Sequence, residues 1–330
     1  MLYTRRRIGK LALGAATASK LMAAKPNSVF GGVQIGTITY SFRALPSSAG
    51  QVLQYCLDCG ISAIELMSNV AESYAGAPAQ AGRGMVPGRG RGPGGGRMTP
   101  EQQAAMEKAA AEMKQFRLSV SMEKYKAFRK TYNDAGVSIY AFKLPPTMNM
   151  SDQEYDYIWN VAETLGANHV TMELPTNDAL LQRVAEYAAK RKLRIAFHTH
   201  GQGGESEFPK ALAASSYTAI NFDVGHFYGV TGKSPVPVMV KYHDRIASLH
   251  LKDRKGPKSA GEPGGPAPGG GGPNVPWGQG ETPIREILQT MKESRYRFPA
   301  SIEYEYDTPT GSNVLSEIKK CVQFCRDALA

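Results

Sequence analysis

Cysteine is scarce in this sequence, with four residues among 330. They form two pairs, Cys56 with Cys59 and Cys321 with Cys325, on two stretches whose pattern predicts helices. Spacings of three and four residues place each pair on one helix face, and no zinc-type loop accompanies either pair. The pattern therefore favours four small buried side chains. A disulfide between the two helices is the alternative if the chain folds in an oxidising compartment.

Long apolar runs are also missing beyond residue 25, so no membrane-spanning helix is expected there. Residues 1–25 differ, because Arg5-Arg6-Arg7 precedes an Ala/Leu run that ends at Met22-Ala23-Ala24. This order is typical of a twin-arginine export signal with a small-residue cleavage region. We therefore expect a periplasmic or otherwise exported protein. A basic N-terminal tail is the alternative, because Lys20 interrupts the apolar run.

Excess positive charge is absent from the part of the chain expected to fold. The formal net charge is +10, but residues 1–25 hold six basic residues and residues 75–97 hold four arginines, with no acidic residue in either segment. The remaining 29 basic residues equal the 29 acidic residues in number. A protein that binds a nucleic-acid duplex needs a basic footprint on its folded surface. We therefore expect no nucleic-acid partner.

Glycine, proline and alanine dominate two segments, residues 75–97 and 256–273. Such segments bury too little apolar surface to offset chain entropy, so we expect flexible loops. They follow the second and seventh predicted strands, on the side where barrel enzymes carry their active-site loops. One of them could fold over a substrate, although tolerated surface insertion is the plainer interpretation.

Strand and helix patterns alternate through the rest of the chain. The predicted strands are Val33–Thr39, Ala63–Leu66, Val137–Phe142, His169–Glu173, Arg194–His198, Ala219–Asp223, Ile246–His250 and Ala300–Tyr304. The predicted helices are Ala49–Asp58, Glu101–Asn133, Asp152–Leu165, Asp178–Arg191, a turn near Pro209–Ala214, Val236–His243, Pro283–Glu293 and Asn313–Leu329. Eight such pairs predict a single (β/α)8 TIM barrel over residues 30–330, a fold of about 250 residues before insertions. A doubly wound open sheet would also alternate, but it would not explain metal-ligand side chains at the ends of five strands.

Three of the predicted strands end on side chains that bind metals: Asp223, His250 and Glu303. Side chains alternate along a strand, and the intervening Phe222 and Leu249 are apolar, so the polar positions face the inside of the barrel. Parallel strands bring their carboxyl ends to one mouth. Carboxylate and imidazole groups gathered there predict a site for one divalent metal ion, with Mn, Mg, Co and Zn as candidates.

Four short runs resemble the xylose isomerase-like TIM-barrel superfamily of sugar isomerases and epimerases. They are Phe222-Asp223-Val224-Gly225-His226, Leu249-His250-Leu251-Lys252-Asp253, Pro276-Trp277-Gly278-Gln279-Gly280-Glu281 and Ile302-Glu303-Tyr304-Glu305. Gly60-Ile61-Ser62-Ala63-Ile64-Glu65-Leu66 is similar to the second-strand motif of the same group. That group includes ketose 3-epimerases, inosose dehydratase and the zinc nuclease that cuts at abasic sites.

The resemblance implies a role for each matching residue. Asp223, His250 and Glu303 would bind the metal, and Glu303 would also act as a base. His226 would contact a substrate oxygen. Asp253 or Arg254 would reach the substrate from the loop after the seventh strand.

The fifth predicted strand departs from the epimerase pattern. Relatives of that type end this strand on a metal-binding glutamate that also moves a proton, and this chain has His198 there. Glu173, on the preceding strand, is then the carboxylate available to complete the metal shell. In that arrangement His198 or His200 serves as a neutral base near pH 7.

Two charged residues, Glu65 and Lys143, are predicted to face inward at the mouths of the second and third strands. They would either contact the substrate or form solvated charges at the rim.

Taken together, these residues predict a metal enzyme that acts on a small carbohydrate or polyol. The favoured reaction is proton transfer α to a carbonyl through a metal-stabilised enediolate, which gives sugar isomerisation or epimerisation. A lyase or dehydratase that uses the same enediolate is the close alternative. A metal phosphodiesterase and a periplasmic sugar-binding protein are weaker alternatives. The sugar, the metal and any homo-oligomer stay open.

Overall fold

The computed structural model describes residues 25–79, 99–200, 207–257 and 271–330. The predicted export signal and most of the two Gly-rich segments lie outside these residues. The export signal and the exported location therefore stay predictions from the sequence. Within the described ranges, no helix is both long and apolar enough to cross a membrane.

Eight parallel strands close into a barrel in sequence order. These eight strands are β2 to β9 of a sheet with nine described strands: β1 (Val29–Phe30), β2 (Val33–Ile38), β3 (Ala63–Met67), β4 (Ser138–Lys143), β5 (His169–Glu173), β6 (Arg194–His198), β7 (Thr218–Asp223), β8 (Ile246–Leu251) and β9 (Ala300–Ile302). The first and last barrel strands, β2 and β9, pair in parallel and close the barrel, while β1 pairs with β2 in the antiparallel direction. The predicted (β/α)8 barrel is confirmed.

Helices connect the strands on the outside of the barrel. They are α1 (Ala49–Cys59), α2 (Ser68–Tyr74), α3 (Pro100–Ser119), α4 (Met122–Asp134), α5 (Asp152–Leu165), α6 (Asp178–Arg191), α7 (Glu207–Ala213), α8 (Val224–Thr231), α9 (Val236–Tyr242), α10 (Ile284–Glu293) and α11 (Val314–Leu329). Local signals fix several of the ends. Ser48 and Ser151 form capping boxes at the starts of α1 and α5, and Gly60 and Gly166 end the same helices at positive φ.

The prediction of one helix over residues 101–133 is wrong. Val120 and Ser121 are extended, and the Ser121 side chain accepts a hydrogen bond from the Glu123 backbone N–H to start α4. Because the chain is extended at these two residues, α3 and α4 pack against different parts of the fold. Arg117 on α3 pairs with Glu72 at 2.9 Å, while the Tyr132 hydroxyl on α4 donates a hydrogen bond to the Ala49 carbonyl at 2.8 Å. These contacts are tertiary, so the periodicity of this stretch could not reveal the break.

Apolar side chains fill the space between the strands and the helices. Phe197, Phe222 and Leu249 point outward from their strands and are buried in this layer. Burial of one such side chain stabilises the fold by about 1.5–3 kcal/mol. The four cysteines are buried there as free thiols, and burial raises the pKa of Cys59 and Cys321 to about 12. The interpretation as small buried side chains is therefore confirmed.

Candidate metal centre

Four metal-binding side chains converge where the last four barrel strands end. They are His198 on β6, Asp223 on β7, His250 on β8 and Glu303 just after β9, and we call them the ligand cluster. One ligand atom from each lies within 4.8 Å of those of the other three, and all four residues are buried. The convergence predicted for Asp223, His250 and Glu303 is thus present in the fold, and His198 joins them.

The ring of His198 is oriented by a buried amide. The Asn221 side-chain NH2 donates to Ser248 Oγ at 2.8 Å and to Glu65 Oε2 at 3.1 Å, so Asn221 Oδ1 faces His198 Nδ1 at 2.8 Å. Nδ1 therefore carries the proton, and the lone pair of Nε2 faces Asp223 Oδ2 at 3.8 Å. Burial is the main cause that lowers the pKa of His198 to about 4, so the ring is neutral.

His250 lies between two buried carboxylates. Its Nδ1 is 2.7 Å from Glu303 Oε2, and its Nε2 is 2.8 Å from Glu65 Oε2. Burial lowers the pKa of this imidazole, but the two carboxylates outweigh that effect and raise it to about 10. In return, His250 outweighs the burial of Glu65 and lowers the pKa of that carboxyl to about 2.

Lys252 belongs to the candidate site, and the sequence analysis missed it. Its Nζ lies 2.8 Å from Asp223 Oδ2, 3.0 Å from Glu303 Oε2 and 2.7 Å from Glu305 Oε2. Gly225 makes room for it, because a Cβ there would lie 2.2 Å from Lys252 Cγ. The signal was available: Lys252 is two residues after His250, and strand parity puts both on one face.

Glu173 lies nearer the solvent than the ligand cluster. Its Oε1 pairs with Lys143 Nζ at 3.0 Å and its Oε2 with His200 Nδ1 at 2.9 Å. We call Lys143, Glu173 and His200 the rim triad. The side chains of Glu173 and His200 are 40% and 41% exposed. His198 therefore stands where the sequence analysis placed Glu173, because contacts with Lys143 and His200 hold the Glu173 carboxylate at the rim.

Glu173 also shifts the pKa of His200. Burial lowers its pKa, but the hydrogen bond and charge of Glu173 outweigh this and raise the pKa above its ordinary value. Glu173 itself is ionised, since Lys143 and the neighbouring histidines outweigh its burial and lower its pKa.

His226 reaches the site with a hydrogen-bond donor. The buried Arg254 donates from Nη1 to His226 Nδ1, and it donates to the Gly272 carbonyl from Nε and Nη2. His226 Nε2 therefore carries the proton and lies 3.8 Å from Asp223 Oδ2. Arg254 thus orients His226 from behind.

Two predicted substrate contacts lie elsewhere. Asp253 accepts hydrogen bonds from the backbone N–H groups of Gly278, Gly280 and Thr282, so it fastens the loop before α10. Glu65 is fully buried beneath the ligand cluster, where it contacts His250 and Asn221. The prediction for Asp253 came from the family resemblance and that for Glu65 from its position at a strand mouth, and both carboxylates are used inside the fold.

Residues 178–327 match the family model described as xylose isomerase-like TIM barrel. In this region, which is less than half of its length, the chain is similar to the xylose isomerase-like TIM barrels. The matched region contains β6 to β9, and with them the whole ligand cluster.

A curated relative that matches part of this chain is the inosose dehydratase of Clostridium botulinum (strain Eklund 17B / Type B). It is 29% identical over 160 residues, which are 44% of this chain and 52% of that protein. A second Clostridium botulinum strain has an inosose dehydratase that matches equally well. The chain spans about half the length of the curated relatives it matches.

Solved structures share the barrel at low identity. A probable 3-DHS dehydratase from Bacillus anthracis has a TM-score of 0.56 and 16% identity, covering 88% of this chain and 97% of that one. An L-ribulose 3-epimerase has a TM-score of 0.55 and 12% identity, covering 90% and 94%. A xylose isomerase-like protein from Mycobacterium smegmatis in complex with magnesium has a TM-score of 0.52 and 14% identity, covering 90% and 98%. At these identities the likeness shows the fold alone.

The ligand cluster fits a divalent cation. It offers two carboxylates and two imidazoles, a donor set suited to Mn, Co or Zn and, with more added water, to Mg. The His198 Nε2 lone pair points at Asp223 Oδ2 with no proton between them. Asp223 Oδ2 is buried and accepts no well-aligned hydrogen bond, although it lies in ion-pair contact with Lys252. His198 Nε2 and Asp223 Oδ2 therefore both have a lone pair that could bind the same metal ion.

Proposed function

We propose that this protein is a divalent-metal-dependent sugar isomerase or epimerase that transfers a proton α to a carbonyl through an enediolate. The observation that carries the proposal is the buried ligand cluster at the carboxyl ends of β6 to β9, with a second group of proton-handling side chains beside it. An aldose, ketose or related polyol has the adjacent oxygens that such a site would hold.

A bound divalent cation would polarise the substrate carbonyl and stabilise the charge of the enediolate. His198, Asp223, His250 and Glu303 would hold it. This set differs from the one expected from the sequence in having His198 in place of Glu173.

Two carboxylates are placed to handle the proton. Glu303 is ionised, because Lys252 and His250 outweigh its burial and keep its pKa well below the ordinary value. Glu173 belongs to a second group with His200 that shares His198 with the ligand cluster. An epimerase takes a proton from one face of a carbon and returns it on the other. In this proposal Glu303 removes the proton and the Glu173–His200 pair serves the opposite face.

Hydrogen-bond donors beside these carboxylates would orient the substrate. His226 presents Nε2–H toward the ligand cluster, and Lys143 presents an ammonium group whose side chain is 13% exposed. Both suit hydroxyl or carbonyl oxygens of a sugar. His198 is neutral and could in principle accept a proton. Its lone pair faces Asp223, however, so we assign it as a metal ligand.

A dehydratase is the second candidate, and the inosose dehydratase relatives favour it. The first step would be the same proton removal. A cationic donor such as the Lys143 ammonium would then protonate a departing hydroxyl, so that water leaves in place of reprotonation at carbon and the amine is left neutral.

The test is solvent-deuterium exchange into a panel of keto sugars and inososes, followed by NMR with and without chelator. We expect deuterium at the carbon beside the carbonyl only in the metal-loaded protein, and no exchange in Glu303→Gln. Glu281→Gln, a change at an exposed carboxylate in the loop before α10, is the matched control and should exchange normally.

The outcomes separate the candidates. Exchange without loss of water supports the isomerase, and a product that lacks one hydroxyl supports the dehydratase. Exchange at the normal rate in Glu303→Gln would remove Glu303 as the base. A metal-loaded protein that exchanges none of the panel would contradict the enediolate proposal.

A further inference from the structure

Glu65 on β3 is a carboxylate that the proposed mechanism does not use. It is fully buried, and its Oε1 has no hydrogen-bond partner. Burial of an ionised carboxylate is costly unless other groups compensate for it. The contacts of Glu65 therefore indicate the role of its buried negative charge.

One oxygen of Glu65 reaches toward both imidazoles of the ligand cluster. Oε2 lies 2.8 Å from His250 Nε2 and 3.1 Å from Asn221 Nδ2. The other end of the same amide, Asn221 Oδ1, lies 2.8 Å from His198 Nδ1. The carboxylate thus acts on His250 directly and on His198 through one intermediate.

The chemistry of these contacts decides which ring nitrogen carries a proton. A carboxylate accepts hydrogen bonds and cannot donate them, so Glu65 retains the Nε2 proton of His250, and Nδ1, which faces Glu303, is the nitrogen that would give up its proton to a metal ion. The same carboxylate requires the NH2 end of Asn221, so the amide oxygen faces His198. His198 then holds its proton on Nδ1 and its lone pair on Nε2.

The two histidines of the ligand cluster would bind the metal through different ring nitrogens. The ligand atom is Nδ1 in His250 and Nε2 in His198, and each faces a carboxylate of the ligand cluster. Without Glu65, either histidine could carry its proton on the nitrogen that faces the ligand cluster. That nitrogen would then have no lone pair for the metal. We infer that Glu65 is a positioning residue that determines, in both histidine ligands, which ring nitrogen keeps its proton and which one binds the metal. This inference rests on the proposed metal site.

The surrounding network should let the fold survive a change at this residue. Asn221 also donates to Ser248 Oγ, and Ser248 Oγ lies 3.1 Å from His169 Nε2. Glu65→Leu removes the acceptor at similar size. Glu65→Gln keeps an amide oxygen that can replace Oε2 and tests whether acceptance of these hydrogen bonds, apart from charge, is enough.

The first readout needs no metal. In protein labelled with 15N-histidine, long-range 1H–15N spectra distinguish the two neutral tautomers, and the His198 signal is assigned from its loss in His198→Asn. We expect His198 as the Nδ1–H form in wild type and Glu65→Gln. A shift toward the Nε2–H form is expected in Glu65→Leu.

The second readout is calorimetric titration with Zn2+ or Mn2+. Loss of a group that orients a ligand typically weakens metal binding 10–100-fold, and we expect that loss in Glu65→Leu, with a smaller loss in Glu65→Gln. Glu72→Leu is the matched control. Glu72 is a buried carboxylate that pairs with Arg117, away from the site, so its change should lower stability and leave metal affinity and the His198 spectrum unaltered.

Failure of the inference differs from failure of the proposed function. A folded Glu65→Leu protein with wild-type His198 signals and wild-type affinity would overturn the inference. If Glu65→Leu does not fold, Glu65→Asp keeps the charge and shortens its reach, and an unchanged spectrum and affinity there would overturn it equally. A wild type that binds neither ion would contradict the metal site, while the metal-free His198 spectrum would still report on Glu65.

Discussion

Lys252 is the side chain that a divalent cation has to displace. Its ammonium lies 2.8 and 3.0 Å from oxygens of Asp223 and Glu303, two residues of the ligand cluster. A metal bound to the same oxygens at about 2.0–2.2 Å would lie too close to this positive charge. Glu305, at 2.7 Å from the same nitrogen, offers the ammonium a second partner when it moves. Lys252 thus neutralises the carboxylates of the free protein and competes with the ion.

Removing this ammonium should strengthen metal binding. We expect Lys252→Met to raise the affinity for Mn2+ by at least about tenfold, or about 1.4 kcal/mol, in calorimetric titrations. Lys255→Met is the matched control, because Lys255 is 42% exposed and pairs only loosely with Glu281 at 3.8 Å. Equal or weaker binding in Lys252→Met would show that Lys252 does not compete with the ion.

Strand parity was enough to predict the convergence of Asp223, His250 and Glu303. The choice between Glu173 and His198 was not predictable, because it depends on which long side chains pair with which. Lys143 is 30 residues from Glu173 in sequence, yet their ion pair removes Glu173 from the ligand cluster. Alternation along a strand shows which face a residue occupies, and the reach of its side chain follows only from the packed structure.

Among the elements, the loop between β8 and α10 depends on Asp253. Three backbone N–H groups of residues 278–282 donate to this carboxylate. The packing is close, since a Cβ on Gly280 would lie 2.0 Å from Asp253 Oδ1. The motif that resembled the family at residues 276–281 is therefore held in place by the residue that follows Lys252.

Loss of this carboxylate should loosen the loop and lower stability. Asp253→Ala leaves buried donors without partners, so we expect the free energy of unfolding to fall by about 1–3 kcal/mol, measured by urea denaturation. Amide exchange over residues 277–282 should rise in the same protein. The control is Asp244→Ala, at an exposed position. An Asp253→Ala protein with wild-type stability and unchanged amide exchange would contradict this structural role. Asp253 would then again be a candidate for substrate contact.

Secondary structure was predicted best where the signals were local. The predicted bounds of α1 and α5 agree with the structure to within one residue, and both helices have a capping serine and a glycine at positive φ, whereas α2 and α8 were missed. Both missed helices start directly after a strand, without the usual gap. The side chain of Asp223 caps α8 through the His226 N–H, so one residue is both a strand end and a helix start.

At the scale of the whole molecule, the barrel strands separate an apolar layer on their outer side from a polar network on their inner side. The layer between strands and helices is apolar, while the inside of the barrel holds a polar network that runs from His169 through Ser248 and Asn221 to the ligand cluster. Pairing of β2 with β9 completes the enclosure. The alternation of the sequence predicted this closed architecture, because an open sheet would have had no enclosed face for the polar side chains.

The central claim is that this enclosure holds one divalent cation, and anomalous diffraction from crystals soaked in Mn2+ tests it most directly. Data collected on both sides of the manganese absorption edge should give one peak within bonding distance of His198, Asp223, His250 and Glu303, and the peak should be lost in Asp223→Asn. A peak bound by Glu173 in place of His198, or no peak in a folded protein saturated with Mn2+, would contradict the account.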